Sequence, residues 1–495
     1  MSTNDSVGLR LAAEEFSEAE FRTFHSFSIS DEQVIRRLIA HGPVLLRGPR
    51  GSGKSAYMRE AHDRISRGEA SAFSAYVSLR HFPLLQASTA DYMTVLLPYV
   101  ASEIKKQLQT LPCKSPASLD AVDSVATLKA SLTEISSMLD RRIVLMFDDV
   151  AHIGRETSLA GFFDFFRTIA SSTVSCKATI YPGVTKFGSR FDLYSDATVI
   201  DAQRDERAAD FSIFFEKVMD LRYDGLKKKV SGSELLGSLP QFLGRAVLGN
   251  VRAFNALCAE LDRHEAVTIH IVGDSLKWLA STYLYPALEE LHSKLGAYAP
   301  VLAVAEELAQ KLFDECGRKR VNTTIVHREH VQRLGKVFEI LEYSGFIAKR
   351  EASRSLARSG SGRGPRYALS LGPLFEKVPG VTLSNELFES WIKPSVANEE
   401  IVEFPPDSLL REFQCPEPQD EVELDVLNLS IEKLAMSHAM PYGLTSLMIS
   451  VLKNANFTKI GDVAPLSEER LRELPDIGPA KAQRIRNTIE QAVWM

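Results

Sequence analysis

The chain is 495 residues long, and at about 100 to 200 residues per domain we expect about three domains or more. Apolar residues make up 45% and charged residues 25% of the chain, which is typical of folded globular domains and excludes a fibrous or largely disordered protein. The net charge is −6, and there is neither a basic and apolar leader after Met1 nor a run of about eighteen uncharged apolar residues, so we expect a cytoplasmic protein that does not span a membrane. The five cysteines stand singly, which favours reduced thiols over a zinc site.

The first two fifths of the chain alternates short apolar strands with helices. Strands are predicted at Val44–Arg47, Ala72–Ser78, Ile143–Phe147 and Ala178–Tyr181, with helical segments between them. The third of these strands is apolar at every position, as expected for a central parallel strand that is buried on both faces. The pattern predicts an α/β domain with a doubly wound parallel sheet over residues 1–208.

The remaining residues lack this alternation. Residues 209–265 are predicted to form a separate small helical lid. Residues 266–375 show helices followed by a two-stranded hairpin with a basic tip, which is the pattern of a winged helix. Residues 376–428 are acidic and rich in proline, so they are predicted to be a linker, and residues 429–495 are predicted to be a small all-α module.

A complete phosphate-binding loop follows the first strand, and a helix begins near Lys54 directly after it. Glycines allow backbone N–H groups to curl around a triphosphate, and the helix adds the positive end of its dipole. Lys54 is expected to reach the β- and γ-phosphates, and the Ser55 hydroxyl is expected to bind Mg²⁺. A purely structural glycine turn is the alternative. The predicted ATP-binding residues are Gly48, Pro49, Arg50, Gly51, Ser52, Gly53, Lys54 and Ser55.

Two acidic residues, Asp148 and Asp149, directly follow the most apolar strand. An acid at the carboxyl end of a strand neighbouring the loop can hold Mg²⁺ through water, and Asp148 is predicted to do so. Asp149 would then lie nearer the γ-phosphate and is the candidate for polarising the attacking water. The alternative is a strand end capped by two acids without a catalytic role.

These motifs resemble those of AAA+ ATPases and, within them, the origin-recognition initiator family. Ser189-Arg190-Phe191 resembles the box that presents an arginine finger to a neighbouring subunit, and Gly249-Asn250-Val251-Arg252 resembles the start of a lid helix whose arginine contacts the γ-phosphate. The resemblance implies catalytic roles for Arg190 and Arg252 and a homo-oligomer, whereas ordinary surface arginines are the alternative. It also implies slow hydrolysis, because many related ATPases have Glu where this chain has Asp149. The role of the polar sensor stays open, with Thr185 and Tyr181 nearest to its expected place.

The segment 317–366 carries twelve Lys and Arg against four Asp and Glu, and this charge of +8 leaves −14 for the rest of the chain. Such a charge on a winged helix predicts contacts with DNA phosphates and little reading of base sequence. A solvated loop or a protein-docking wing is the alternative. The predicted DNA-binding residues of this segment are Arg318, Lys319, Arg320, Arg328, Arg333, Lys336, Arg354, Arg358 and Arg363.

The end of the chain resembles a helix-hairpin-helix motif, in which a glycine-centred turn points N–H groups at a DNA phosphate. Gly478 and Lys481 would be its DNA-binding residues, although Asp476 stands where the family has its first glycine. The wider stretch is similar to the carboxy-terminal domain of the RNA polymerase α subunit. Its nearly balanced charge leaves protein docking as the alternative.

Together these features predict an AAA+ switch that binds ATP and Mg²⁺, hydrolyses ATP slowly and assembles on DNA. The main alternative is a signalling ATPase of the STAND type, for instance in anti-phage defence, which would recruit an effector protein through the last module. An enzyme acting on a small metabolite has little support, because the sequence contains no second catalytic constellation.

Overall fold

The computed structural model describes the chain from Phe16 to Trp494 with several internal gaps. Within this part of the chain, no helix is both long and apolar enough to cross a membrane. The described residues are 16–79, 89–111, 116–151, 156–183, 187, 190–292, 295, 298–356, 362–380, 382–393, 401–417, 425–436 and 443–494.

The first part of the chain folds as an α/β unit around a parallel sheet. Its elements are α1 (Glu18–Phe24), α2 (Ile29–Ile39), β1 (Val44–Arg47), α3 (Lys54–Ser66), β2 (Ala72–Ser78), α4 (Thr89–Leu108), α5 (Val125–Leu139), β3 (Arg142–Ala151), α6 (Glu156–Ile169), β4 (Val174–Ile180), α7 (Leu193–Asp196) and β5 (Thr198–Asp201). The five strands lie in the order β2-β3-β4-β1-β5, and every neighbouring pair is parallel. The predicted fold class is confirmed, with one difference: β4 separates β1 from β3, so the acidic strand is not the direct neighbour of the loop strand.

Helices cover both faces of the sheet, and the central strand shows why. Along β3, Leu145 and Phe147 point into a cluster formed with α4, α5 and α6, whereas Val144 and Met146 point into a second cluster formed with α2 and α3. All four side chains are buried. Because successive residues of a strand face opposite sides, a run without polar residues requires cover on both.

The helices of the lid and the winged helix follow β5. They are α8 (Phe211–Arg222), α9 (Leu226–Lys229), α10 (Ser233–Ala246), α11 (Val251–Asp262), α12 (Ile269–Trp278), which continues as a π-helix (Leu279–Leu284), α13 (Tyr285–Glu289) and α14 (Val301–Arg318). The winged helix then adds β6 (Thr323–Val326), α15 (Arg328–Arg333), α16 (Gly335–Ser344), β7 (Ile347–Ser355), β8 (Arg363–Leu369), α17 (Leu371–Glu376), α18 (Asn385–Ile392) and β9 (Val402–Phe404).

One hydrophobic core runs through the lid and the winged helix, so the lid is not the separate unit that was expected. Phe242 of α10 stacks on Phe388 of α18 with ring centroids 4.5 Å apart. Phe215 and Phe254 of the lid belong to the same cluster as Phe338 of α16. A shared core of this kind makes the two parts move together, because separating them would expose apolar surface to water.

The prediction of a linker over 376–428 is wrong for much of its length. Strand β9 pairs in parallel with β6 and makes the four-stranded sheet β7-β8-β6-β9. Trp391, Val402, Phe404 and Leu410 are buried in the shared core. Pro405, Pro406 and Pro416, which contribute to the linker composition, follow β9 and do not interrupt its pairing, whereas Pro394 and Pro418 lie outside the described residues.

The C-terminal residues form an all-helical unit with a hydrophobic cluster of its own. Its helices are α19 (Asp425–Asn428), α20 (Ser446–Asn454), α21 (Ile460–Val463), α22 (Glu468–Arg472) and α23 (Pro479–Trp494), with a short 3-10 helix at Ile431–Leu434. The turn between α22 and α23 is the one that resembles a helix-hairpin-helix motif.

The packing of β9 can be tested at Phe404, whose side chain is 2% exposed. We expect Phe404→Ala to lower the free energy of unfolding by about 3 to 5 kcal/mol, because it removes a buried aromatic ring and leaves a cavity. Thermal unfolding of the full chain measures the change, and Asp407→Ala on the exposed turn after β9 is the control. Equal melting temperatures for Phe404→Ala and the unaltered protein would show that the segment does not contribute to the core.

A candidate nucleotide-binding site at the carboxyl edge of the sheet

The glycine-rich loop leads from the end of β1 into α3, as the sequence predicts. Gly51 and Gly53 have φ values of 82° and 94°, in the left-handed region that favours glycine. A Cβ atom on Gly51 would lie 2.5 Å from Asn250 Oδ1 and 2.7 Å from Arg252 Cβ, because the start of α11 packs directly on the loop. The backbone N–H of Val251 also donates to the Gly51 carbonyl at 3.1 Å. The lid is therefore attached to the phosphate-binding loop itself.

The Lys54 ammonium is buried at the centre of this loop. It donates to the carbonyl oxygens of Gly48 at 2.9 Å and Pro49 at 3.0 Å, and it lies 3.8 Å from the centroid of the Tyr181 ring. Burial lowers the pKa of Lys54 to about 7, although the carboxylates of Asp149 and Asp148 oppose this shift. Phosphate oxygens would be stronger acceptors for this ammonium than the loop carbonyls are.

The loop also holds the polar residue Ser52 in a buried position. The Ser52 hydroxyl oxygen is buried and has no hydrogen-bond partner within the described part of the chain. A Cβ atom on Gly48 would lie 2.7 Å from that oxygen, so the loop has no room for a larger residue at this position. An unsatisfied buried hydroxyl in a glycine-lined loop fits a ligand that carries several acceptor oxygens.

Asp148 is fully buried on β3 and is held by two hydroxyl groups. Tyr76 donates to its Oδ2 at 2.6 Å, and Thr179 of β4 donates to its Oδ1 at 2.7 Å. Such hydrogen bonds fix the orientation of a carboxylate that binds a metal through water. Sequence reasoning missed both partners, because each comes from another strand and neither lies in a motif.

Asp149 lies in an irregular part of β3, where the pairing with β4 shifts between Phe147 and Ala151. The strand thus continues past the acidic pair, whereas the sequence predicted that it would end there. Asp149 has a φ of 54°, and its Oδ1 accepts a hydrogen bond from the Tyr181 hydroxyl at 3.0 Å. An irregularity of this type changes the direction of a side chain, here towards Tyr181 and the loop.

The two arginines of the resemblance lie in different places. Arg252 is close enough to the loop that its charge, like that of Arg50, lowers the pKa of Lys54. The Arg190 side chain is 75% exposed and lies 3.5 Å from Asp164 of α6, while Phe191 beside it is buried. Arg190 therefore faces solvent and can meet another molecule. Ser189 and Thr185 lie outside the described residues.

Arg204 is a site residue that no sequence motif indicated. Its guanidinium donates to the Ser52 carbonyl at 3.1 Å, lies 3.1 Å from the Asp31 carboxylate and stacks on the Phe214 ring at 3.9 Å. It forms one wall of a pocket between α2, the end of β5 and α8.

The winged helix lies against this edge of the sheet. Arg350 at the base of the hairpin forms a buried ion pair of 2.6 Å with Glu206, and Arg207 pairs with Glu351 at 2.8 Å. Tyr343 of α16 packs on Tyr181 with ring centroids 5.2 Å apart. Helix α16 thus faces the α/β unit in this structure.

The predicted DNA-binding residues consequently fall into two groups. Lys336 donates to the Gly183 carbonyl and lies 4.1 Å from the centroid of the Tyr298 ring, Arg333 donates to the Leu410 carbonyl at 2.7 Å, and Arg354 lies 3.7 Å from Glu351. The rest of the predicted set within the described residues is exposed: Arg318, Lys319, Arg320, Arg328 and Arg363. Arg358 lies outside the described residues.

The turn before α23 holds a residue other than glycine in the left-handed conformation. Asp476 has a φ of 60°, so it adopts the left-handed conformation expected of the glycine that it replaces. Gly478 is exposed, and a Cβ atom there would meet no described atom within 4 Å. Lys481 donates to the Asp476 carbonyl at 2.9 Å.

No protein-family model matches the chain, and no curated protein matches it. The solved structures to which it is similar include a Walker-type ATPase of Pyrococcus abyssi, with 12% identity and a TM-score of 0.41 over 70% of this chain and 93% of that one. Cdc6p of Pyrobaculum aerophilum has 12% identity and a TM-score of 0.32 over 77% and 99% of the two chains. A structure of Drosophila ORC bound to GC-rich DNA and Cdc6 has 13% identity and a TM-score of 0.30 over 58% and 46%. At such identities the roles of residues have to be argued from this chain alone.

Glu342 of α16 gives a test of the contact between the winged helix and the sheet. Burial raises its pKa to about 7, although Lys349 and Arg47 oppose the shift. The folded protein then keeps a proton that the unfolded chain loses above about pH 4.5, so stability falls as the pH rises from 4.5 to 7 and stays low above 7. We expect Glu342→Gln to stabilise the protein by up to about 3 kcal/mol at pH 8 and by less at pH 5.5.

Thermal unfolding at the two pH values measures this difference, and Glu329→Gln at an exposed position is the control. A melting temperature that changes equally at pH 5.5 and pH 8 would show that Glu342 is not a buried acid at the contact.

Proposed function

We propose that this protein is an ATP-dependent AAA+ switch of the origin-recognition initiator type, which hydrolyses ATP slowly and assembles on DNA. The observation that carries the proposal is the meeting of Lys54, Asp148 and Asp149 at one edge of a parallel sheet, beside a glycine-lined loop. Ligands of open α/β sheets bind in the crevice at the carboxyl ends of the strands, and all three residues lie there.

In the proposed site, the loop and the start of α3 hold the phosphates through backbone N–H groups and the Lys54 ammonium. Ser55 at the first turn of α3 and Asp148 would hold Mg²⁺, the latter through water. The bound ion would neutralise charge on the β- and γ-phosphates. Phosphate oxygens and water molecules would complete the octahedral coordination that Mg²⁺ prefers.

Asp149 is proposed to accept a proton from the attacking water or to orient that water. Its carboxylate is held by the Tyr181 hydroxyl at 3.0 Å, so it has to be released or shared before it can serve a water molecule. The Asp side chain is also one methylene shorter than the Glu found in many related ATPases. Both features support slow turnover, which suits a switch better than a motor.

Two arginines are proposed to act on the γ-phosphate from different subunits. Arg252 starts the lid helix that packs on Gly51, so it would act in its own subunit. Arg190 is exposed and would act on the nucleotide of a neighbour in a homo-oligomer. A planar guanidinium in either place would stabilise charge that develops in the transition state.

DNA is the proposed partner of the exposed basic residues and of the last module. Arg318, Lys319, Arg320 and Arg328 are exposed on the winged helix, and Arg363 is exposed on the hairpin. Arg318 also forms an ion pair of 3.0 Å with Glu315, and its side chain remains 65% exposed. Lysine and arginine side chains of this kind contact phosphates and hold a protein on DNA without reading its sequence. The open space around Gly478 leaves room for a DNA backbone at the C-terminal turn.

The second candidate function is a STAND-type signalling ATPase that recruits an effector protein. One observation favours it: the winged helix is seated on the nucleotide site by the buried Arg350–Glu206 pair, as in a closed state that a signal would open. Binding of an effector to the last module, together with the absence of DNA binding by the full chain, would favour this candidate.

The proposed ATP site is tested by removing one charge at a time. Lys54→Ala should lose measurable ATP binding, because it removes the buried ammonium at the centre of the loop that would contact the β- and γ-phosphates. Asp149→Asn keeps the acceptor for the Tyr181 hydroxyl but cannot take a proton, so it should bind ATP and lower turnover by about a hundredfold or more. Lys228→Ala on the exposed lid surface is the control. The measurements are equilibrium binding of labelled ATP and release of phosphate. Full binding and turnover in Lys54→Ala would disprove the ATP assignment.

The proposed DNA contacts are tested through their dependence on salt. Each phosphate contact contributes about −0.9 to the slope of log affinity against log salt concentration. Replacing Arg354, Arg358 and Arg363 by Gln should weaken binding to unrelated sequences alike and flatten the slope by up to about three. Replacing Arg318, Lys319 and Arg320 in the same way tests the other end of the winged helix, with Lys228→Gln as the control. An affinity of the unaltered chain that does not change with salt would remove DNA from the proposal.

A further inference from the structure

Tyr181 lies between the two groups that the γ-phosphate requires. Its ring faces the Lys54 ammonium at 3.8 Å from the centroid, and its hydroxyl donates to Asp149 Oδ1 at 3.0 Å. In the proposed function, which this inference rests on, the γ-phosphate contacts Lys54 and the attacking water lies beside Asp149. The space between these two side chains is therefore the γ-phosphate subsite, and Tyr181 spans it.

The Tyr181 ring occupies a side of the Lys54 ammonium group where a γ-phosphate would bind in the proposed function. An ammonium group has three N–H donors. Two of them are directed at the Gly48 and Pro49 carbonyl oxygens, and the π face of Tyr181 lies on a further side of the group. The loop carbonyls belong to the same short segment as Lys54, whereas the ring comes from β4. Withdrawal of the ring would thus open the ammonium towards Asp149 without unfolding the loop.

The winged helix holds the Tyr181 ring in this position. Tyr343 of α16 packs on it with ring centroids 5.2 Å apart and an angle of 57° between the ring planes. Lys336, two turns before Tyr343 on the same face of α16, donates to the Gly183 carbonyl two residues after Tyr181. Both Tyr181 and Tyr343 are buried, at 7% and 6% exposure. The side chain of Tyr181 therefore has little freedom to move while α16 is seated.

We infer that Tyr181 is a gate on the γ-phosphate subsite and that Tyr343 of the winged helix holds this gate closed. With the winged helix seated, the loop accepts a nucleoside diphosphate, whose last phosphate stops at the loop and Lys54. A nucleoside triphosphate requires the ring to leave the space between Lys54 and Asp149, and this movement requires Tyr343 to release it. Tyr181 is thus a specificity-determining residue that makes the preference for tri- over diphosphate depend on the position of the winged helix.

The experiment measures the ratio of the affinities for a non-hydrolysable ATP analogue and for ADP on the full chain. Tyr343→Leu keeps an apolar side chain of similar volume but loses the ring contact, and it should raise the analogue-to-ADP ratio at least about fivefold by strengthening analogue binding alone. Tyr343→Phe keeps the ring and is the matched control, with an unchanged ratio. Lys336→Ala removes the second contact of α16 and, since this side chain is half-buried, serves as a variant that folds; it should raise the ratio as well.

Tyr181→Phe separates the two contacts of the gate. It keeps the ring over Lys54 and against Tyr343 but removes the hydrogen bond to Asp149 Oδ1 that helps to hold the ring between Lys54 and Asp149, so the affinity ratio should rise, by less than in Tyr343→Leu. Unchanged ratios in both Tyr343→Leu and Lys336→Ala, with both nucleotides still bound, would overturn the gate while leaving the proposed function intact. A wild-type chain that binds neither nucleotide would instead overturn the proposed function and this inference together.

Discussion

The buried charge of Lys54 is the constraint on which the rest of the site depends. An ammonium that leaves water loses its hydration and requires close partners in return. The loop supplies carbonyl oxygens, β4 supplies an aromatic ring, and β3 supplies the carboxylates that oppose the lowering of its pKa. These partners come from three separate strands and their loops. The sheet must therefore hold its carboxyl edge rigid, and the apolar side chains on both faces of β3 do so.

The attachment of the lid follows from the same loop. A helix that begins directly on Gly51 leaves no space for a side chain there, so the loop and α11 are fixed to one another. The lid in turn shares its hydrophobic core with the winged helix. A change of the loop on binding phosphate would be passed through α11 into this shared core, whereas a lid joined by a flexible linker would not transmit it. The loop and the winged helix are thus connected by direct packing through α11.

Sequence reasoning worked where the signal is local. The strand, loop and helix around Lys54 and the acidic pair after the apolar run are each complete within about ten residues, and the structure has them as predicted apart from the irregular course of β3. It missed Tyr76, Thr179 and Arg204, because each comes from a distant part of the chain and none lies in a motif. Tyr181 was noticed only as an open possibility for the sensor.

The prediction of a linker over 376–428 rested on amino-acid composition, and a strand of three residues changes the average composition of such a segment very little. Strand β9 has only three residues, yet Val402 and Phe404 alternate with Glu403 as the pairing with β6 requires. The pattern is visible in hindsight, but prolines and acidic residues on both sides outweigh it in any window long enough to identify a linker. Residues 402–404 form a strand because they pair with the buried strand β6, and the sequence does not indicate this pairing.

The segment 317–366 has a charge of +8, but some of its cations are buried or paired in the fold, which a count of charged residues cannot show. Arg350 pairs with Glu206 and Lys336 donates to the Gly183 carbonyl, so these two cations join the winged helix to the α/β unit. Arg366 is fully buried beside Glu351 within the hairpin itself. Release of α16 would expose Lys336 to solvent, where it could join the proposed DNA contacts. If the gate and the DNA contacts are both as proposed, a triphosphate and DNA favour the same released state. Each must then strengthen the binding of the other by the same factor, because the coupling free energy between two sites is reciprocal.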